Sequence, residues 1–241
     1  MSKVLVVSST ASVQNSINRD IRIRGVKFDY TSSLESIPSR CHNRRTKLLI
    51  LVDNFEEVDA DDIVVVLRKR FSAEELPILV IGGNRDIEYN LALMKAGADD
   101  YILLPLDVFL LTVKIRYYVG ELDSIEVAST ECCCPSFASV GPMDVPIALT
   151  NISELGLTFY SDYKFHEGHS LNTHISVVGI KNFGLVNPFV GRIASVFRVN
   201  NRFLVKLLFI GVDDKFRAQL RQLTTIRKFI LQNDDVLTTG Y

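Results

Sequence analysis

What the 241-residue sequence lacks narrows its class first. No stretch approaches the roughly 18 uncharged apolar residues that a membrane-spanning helix needs. The N-terminal apolar run, Val4–Val7, is too short for the core of a secretion signal. A soluble, cytoplasmic protein without membrane insertion is expected. A surplus of one charge is also missing. Net charge is −1; the first 126 residues carry 16 Lys and Arg against 19 Asp and Glu, the rest 11 against 9. Neither part is a polyelectrolyte, so nucleic acid is not an expected partner.

Cysteine is scarce, with Cys41 and the consecutive Cys132, Cys133 and Cys134. Adjacent cysteines rarely bridge without strain, so free thiols are expected rather than a disulfide framework. Nor does the trio make a zinc site with His166, His169 and His174. Consecutive residues do not readily share a tetrahedral ion, and the C-x₂₋₄-C spacing is absent. The sequence contains no nucleophile elbow, no phosphate-cradling glycine loop and no paired carboxylates in a catalytic frame. No enzymatic activity and no metal are expected. What is present is 47% hydrophobic residue against 23% charged, enough to bury a real core.

Two rhythms divide the chain. Up to about residue 120, short apolar runs alternate with amphipathic stretches. Val4–Val7, Leu48–Val52 and Ile78–Ile81 are apolar throughout, as strands buried on both faces are, and Lys27–Tyr30 and Tyr101–Leu103 complete five. Asp59–Phe71 reads as a helix with an apolar stripe at Ile63, Val66 and Leu67, and Arg85–Ala96 as another with Ile87, Leu91 and Met94. The alternation predicts a doubly wound α/β domain on a five-stranded parallel sheet, residues 1–126.

Beyond it, Val145–Thr150, Leu155–Ser161, Ser170–Val178, Phe189–Val199 and Arg202–Ile210 read as strands. Val199-Asn200-Asn201-Arg202 predicts a tight hairpin, because Asn tolerates the positive φ it demands. Asp213-Asp214 caps a final helix with its stripe at Phe216, Leu220, Leu223, Arg227 and Ile230. Residues 127–241 are therefore expected to form an all-β barrel with a C-terminal helix. Ser124–Ala138 interrupts both patterns and is read as the junction.

The order and spacing of Lys3–Val7, Leu49–Asp53, Leu76–Ile81 and above all Ala96-Gly97-Ala98-Asp99-Asp100-Tyr101-Ile102-Leu103-Leu104-Pro105 resemble response-regulator receiver domains. The resemblance implies an acidic pair after the first strand for Mg²⁺, a phosphoacceptor Asp ending the third strand, a hydroxyl after the fourth and a Lys after the fifth. Here those positions hold Ser8 and Ser9, Asp53, Gly82 and Leu104. Only Asp53 matches, and hydroxyls are poor ligands for a hard cation. Phosphoryl transfer needs metal and Lys to neutralise charge, so Asp53 is expected to be a relic carboxylate in a pseudo-receiver. Asp53, Glu56, Glu57, Asp59, Asp61 and Asp62 crowd one stretch. Solvated surface is the expectation there, with a cation trap or a docking surface for a basic partner as the functional readings.

Asn151-Ile152-Ser153-Glu154-Leu155-Gly156 carries the [D/N]-x-S-x-x-G signature and resembles PilZ domains, the bacterial receptors for cyclic di-GMP. The surrounding strands, Gly191-Arg192-Ile193-Ala194 and the terminal helix agree. The resemblance also implies R-x-x-x-R in the arm before the barrel, yet residues 127–143 contain neither Arg nor Lys. Arg40/Arg44, Arg198/Arg202 and Arg217/Arg221 have that spacing elsewhere. Bidentate Arg contacts are the strong part of phosphate recognition, so cyclic di-GMP binding is expected to be weak or lost.

The expectation is a two-domain, non-enzymatic bacterial signalling adaptor that works through protein contacts with an unidentified partner. One alternative is a cyclic di-GMP effector using Asn151, Ser153 and Gly156 with a substitute Arg192 or Arg198. Another is a phosphorelay receiver using Asp53. The helix from Pro105 to Val119 is apolar on more than one side, which predicts a homodimer or interdomain face through Leu106, Val108, Leu110, Leu111 and Ile115.

Overall fold

Strands that are apolar at every position need cover on both faces. The computed structural model of the protein, which describes residues 1–42, 45–120, 130–140, 143–175 and 185–220, puts such runs at the centre of a parallel sheet. The chain divides into two compact units, Met1–Ser124 and Ile125–Tyr241. In the first, β1 (Ser2–Val7), β2 (Val26–Thr31), β3 (Thr46–Val52), β4 (Ile78–Gly82) and β5 (Asp100–Leu103) pair in the order β2-β1-β3-β4-β5. Every residue of β4 and β5 is buried, whereas the edge strand β2 is partly solvated.

The connections are α1 (Ala11–Asp20), α2 (Ile37–Cys41), α3 (Ala60–Arg68), α4 (Ile87–Ala96) and α5 (Val108–Tyr118). Asp86 caps α4 by accepting the Glu88 N–H at 3.0 Å, and Asp107 caps α5 by accepting that of Leu110 at 2.9 Å. Gly97 ends α4 at φ +112°, a left-handed cap that other side chains resist. Strand order reverses between β1 and β3, where α/β sheets open a crevice at their carboxyl ends.

The helix stripes need correction. In α3 the buried face is Ala60, Ile63, Val64 and Leu67, while Val66 is 55% exposed. At 100° per residue Val66 lies well off the face that Ala60 and Leu67 define. In α4 the buried set is Asn90, Leu93 and Met94, and Ile87 and Leu91 are only half-buried. The α5 expectation changes most. Leu110, Leu111 and Ile115 are buried within the chain, and Leu106 and Val108 half-buried. The exposed large apolar residue on this helix is Phe109.

The second unit holds β6 (Thr130–Val140), β7 (Met143–Ile152), β8 (Gly156–Ser161), β9 (Ser170–Ile175), β10 (Leu185–Val199) and β11 (Arg202–Ile210). They form an antiparallel sheet in the order β6-β7-β8-β11-β10-β9, curled into a half-barrel whose outer strands approach one another. The interior is apolar and aromatic. Phe209 meets Phe189 and Phe216 edge-on at 4.9 and 5.3 Å between ring centres. Phe216 and Leu220 come from a helical stretch at 214–220 capped by Asp213, which accepts the Phe216 N–H at 2.7 Å. Leu223, Arg227 and Ile230, expected to continue that stripe, lie outside the described residues. So do Arg44 and Arg221.

Two local readings meet the structure differently. The Asn-Asn hairpin forms as expected, with Val199 opposite Arg202 and Asn200 at φ +54°. The presumed junction, by contrast, contains β6. Its Pro135 stands in register with Ala148 on an edge strand, the kind of strand in which proline is found because one side carries no ladder.

Candidate functional site

The crevice in the first unit is built by the residues that follow β1 and β3. Asn54, next in sequence to Asp53, reaches back across the switch point. Its amide nitrogen donates to Ser8 Oγ at 3.1 Å and to Thr10 Oγ1 at 2.9 Å. Its amide oxygen accepts the Ser9 N–H at 3.0 Å, and its carbonyl accepts the Ser9 hydroxyl at 2.5 Å. Ser8 is fully buried and donates its hydroxyl to the Thr10 carbonyl at 2.9 Å. Where the receiver resemblance implies carboxylates for Mg²⁺, this chain therefore has hydroxyls and an amide already joined to one another. Hydroxyls and an amide are poor ligands for a hard divalent cation, and the Asp53 carboxylate beside them does not by itself make a site that fits one.

Asp53 itself is half-buried and engaged. Tyr89, on α4, donates its hydroxyl to Asp53 Oδ2 at 2.5 Å. Burial, and then the hydrogen bond to this carboxylate, push the Tyr89 hydroxyl far above the ordinary tyrosine range. The Tyr101 ring packs edge-on to Tyr89, 6.0 Å between centres. The Tyr101 hydroxyl donates to the Asn84 carbonyl and accepts the Asn84 N–H, both at 3.0 Å. Burial pushes it up to about 12, against the lowering by Asn84. Gly82 stands at the hydroxyl position, and a Cβ there would lie 2.7 Å from the Tyr101 hydroxyl. The glycine is the space that the tyrosine occupies. Leu104 is half-buried and supplies no cation.

Behind the crevice lies an arrangement that motif reading passed over. Asp99 immediately precedes β5 and Asp100 opens it, and both are buried. Asp99 pairs with Arg68 at 2.6 Å and accepts the Ile78 N–H at 2.7 Å. Asp100 pairs with Lys114 through both oxygens at 2.6 Å, and the two side chains are 1% and 8% exposed. The signal available in sequence was a cation inside an apolar helix face, Lys114 between Val113 and Ile115.

In the second unit the six-residue motif is a turn that satisfies itself. Ser153 is fully buried, and its hydroxyl accepts the N–H groups of Leu155 and Gly156 at 3.2 and 3.3 Å. Its own N–H reaches the Gly156 carbonyl at 2.9 Å. A Cβ on Gly156 would collide with the Leu207 carbonyl oxygen, so glycine is required by strand packing. Asn151 is half-buried on β7, paired with Thr158 of β8 and Glu131 of β6.

The two candidate arginines separate. Arg192 is level with Leu208, which is level with Gly156. Arg198 is six residues farther along β10, roughly 20 Å away at 3.3 Å per residue, level with Phe203 and Ser161. It belongs to a different cleft, with Lys164, His166 and Glu167. Arg202 pairs instead with Asp162 at 3.1 Å, and Arg217 with Asp214. Arg40 pairs with Asp29 at 3.0 Å.

Among the described residues, no group of three His, Cys, Asp or Glu could hold a metal ion. The side chains of Cys132–Cys134 and His174 lie outside the described residues. Cys41 is buried, and burial pushes its thiol up to about 11. No helix among the described residues is long and apolar enough to cross a membrane.

No family model matches the chain. The chain is 26% identical over 148 residues to the transcriptional regulatory protein PrrA of Mycobacterium tuberculosis, covering 60% of this chain and 59% of that protein. It is 26% identical over 126 residues to the chemotaxis protein CheY1 of Helicobacter pylori, covering 50% of this chain and 99% of that one. Both are proteins to which part of this chain is similar. The chain spans about three-fifths of the length of PrrA. Solved structures similar to it include a two-component response regulator from Clostridium difficile (TM-score 0.45, 17% identity, 52% of this chain and 100% of that one). The receiver domain of the TMAO respiratory system response regulator TorR is another (TM-score 0.45, 20% identity, 51% and 100%).

Proposed function

We propose that this chain is a non-enzymatic signalling adaptor in which the receiver-like unit works without phosphoryl transfer, the second unit is a PilZ-type barrel, and both act through protein contacts. The observation that carries the reading is the closed polar network at the crevice. Asn54 joins Ser8, Ser9 and Thr10 to one another, and Tyr89 holds Asp53. Phosphoryl transfer is catalysed chiefly by cations aimed at the phosphoryl oxygens, and neither Ser8, Ser9 nor Leu104 supplies one. The PilZ assignment is supported by the self-bonded Asn151–Gly156 turn opening β8, the curled antiparallel sheet and the helical stretch that follows it.

Incubation with acetyl phosphate and Mg²⁺ should leave the intact mass unchanged. A phosphoryl adduct abolished by Asp53→Ala would make the protein a phosphorelay receiver and overturn the proposal. Calorimetric titration with cyclic di-GMP should show no binding, or binding weaker than about 10 μM. A second reading, the cyclic di-GMP effector, draws on the alignment of Arg192 with Gly156 across β11. Sub-micromolar binding lost in both Asn151→Ala and Arg192→Ala would establish it in place of the first.

A further inference from the structure

The first unit carries an apolar cleft that the crevice chemistry does not use. It lies between the segment around α2 and helix α3, has a volume of about 420 Å³, and is walled by Leu34 and Ile37 on one side and Val58, Ile63, Val66 and Leu67 on the other. Ile37, Ile63 and Leu67 form its buried floor. Val58 and Val66 stand 37% and 55% exposed at its lip, and apolar surface rimmed by polar residues is what interaction sites present.

The charge around this cleft selects the occupant. Glu35 and Asp62 line it, and Glu56, Glu57 and Asp59 are exposed in the chain leading into α3. No Lys, Arg or His occurs from Leu48 to Leu67. Arg70 lines the cleft beyond the C-terminal end of α3. A second copy presenting the same face would bring two carboxylates, Glu35 and Asp62, against one cation, Arg70, and so would leave acid unmatched across a two-fold axis. A partner segment with opposite charge meets no such opposition. The nine residues of α3 give the cleft a length of roughly 13 Å at 1.5 Å per residue, which suits two to three turns of a helix.

We propose that the α2–α3 cleft is a docking site for an amphipathic helix of a partner protein, with apolar anchors at i, i+3 or i+4, and i+7, and with Lys or Arg at the end that meets Asp62. This goes beyond the adaptor reading and does not depend on phosphorylation or cyclic di-GMP.

The test is selection of a display library of random 16-residue peptides on the full chain, followed by anisotropy with the enriched peptides. The expected result is enrichment of apolar residues at helical spacing beside Lys and Arg. Binding should fall at least about tenfold in Val66→Glu and weaken in Asp62→Lys, with unchanged circular dichroism. Glu at position 66 adds negative charge, so loss of a basic peptide singles out the apolar seat rather than simple attraction. Val58→Glu serves as the second variant if Val66→Glu fails to fold. Failure to enrich, enrichment of peptides without this pattern, or binding within twofold of the parent in a folded lip variant would overturn the proposal. So would a dimer of the parent chain in sedimentation that Val66→Glu dissolves, since the occupant would then be a second copy.

Discussion

Replacing Lys114 with Met should be the most damaging single change in the first unit that keeps the volume and shape of a side chain. Lys114 touches both oxygens of Asp100 at 2.6 Å, in a place where the carboxylate is 1% exposed. The remaining donors to Asp100 are the Tyr101 N–H at 2.8 Å and the Tyr118 hydroxyl at 3.3 Å, both neutral. Breaking a buried ion pair from one side costs about 3–5 kcal/mol, because it strands the other charge. Lys114→Met should therefore lose about 3–5 kcal/mol, a large share of a 5–15 kcal/mol domain. The double variant Lys114→Met, Asp100→Leu should recover most of it. Urea unfolding, with hydrogen exchange of β4 and β5 peptides reporting the first unit, measures both. A loss below about 1 kcal/mol in the single variant, or a double variant no better than the single, would refute this account.

Ser153→Ala should lower the stability of the second unit by about 1–3 kcal/mol, since it strands two buried N–H groups, and Gly156→Ala should exceed that; melting without nucleotide checks both. Leu111→Glu should give aggregated or unfolded protein rather than a monomer, because Leu111 is fully buried; gel filtration and circular dichroism decide. Alkali should destabilise the protein. Cys41, Tyr101 and Tyr89 are all raised when folded, so the stability they contribute is complete below their ordinary values of 9 and 10 and is lost as pH rises towards their folded values. Denaturation midpoints should fall from about pH 9 upward, and Tyr89→Phe should flatten the part above pH 10; a flat profile to pH 11 would contradict the assigned burial.

The receiver-like half was legible because its signals are local or periodic. Val4–Val7, Leu48–Val52 and Ile78–Ile81 announced buried parallel strands, and Asn200-Asn201 announced a hairpin through its backbone tolerance. β6 was hidden because Pro135 and the cysteine trio break the alternation that marks a strand, and only its edge position makes them acceptable. The face of α3 was misread at Val66 because three consecutive valines satisfy almost any stripe, and the direction of the core picks among them.

At the crevice, sequence by itself determined which side chains stand there, Ser8 and Ser9 after β1, Asp53 after β3, Gly82 ending β4 and Leu104 after β5. It also determined that residues 127–143 carry neither Arg nor Lys. Tertiary structure decided what each of them meets. That Tyr89 meets Asp53, that Asn54 ties Ser8 to Thr10, and that Lys114 finds Asp100 depend on elements 14 to 46 residues apart in the chain. Such pairings leave no mark on spacing or composition. They arise when a sheet and its helices bring polar groups into an interior where each must find a partner or bear the cost of burial.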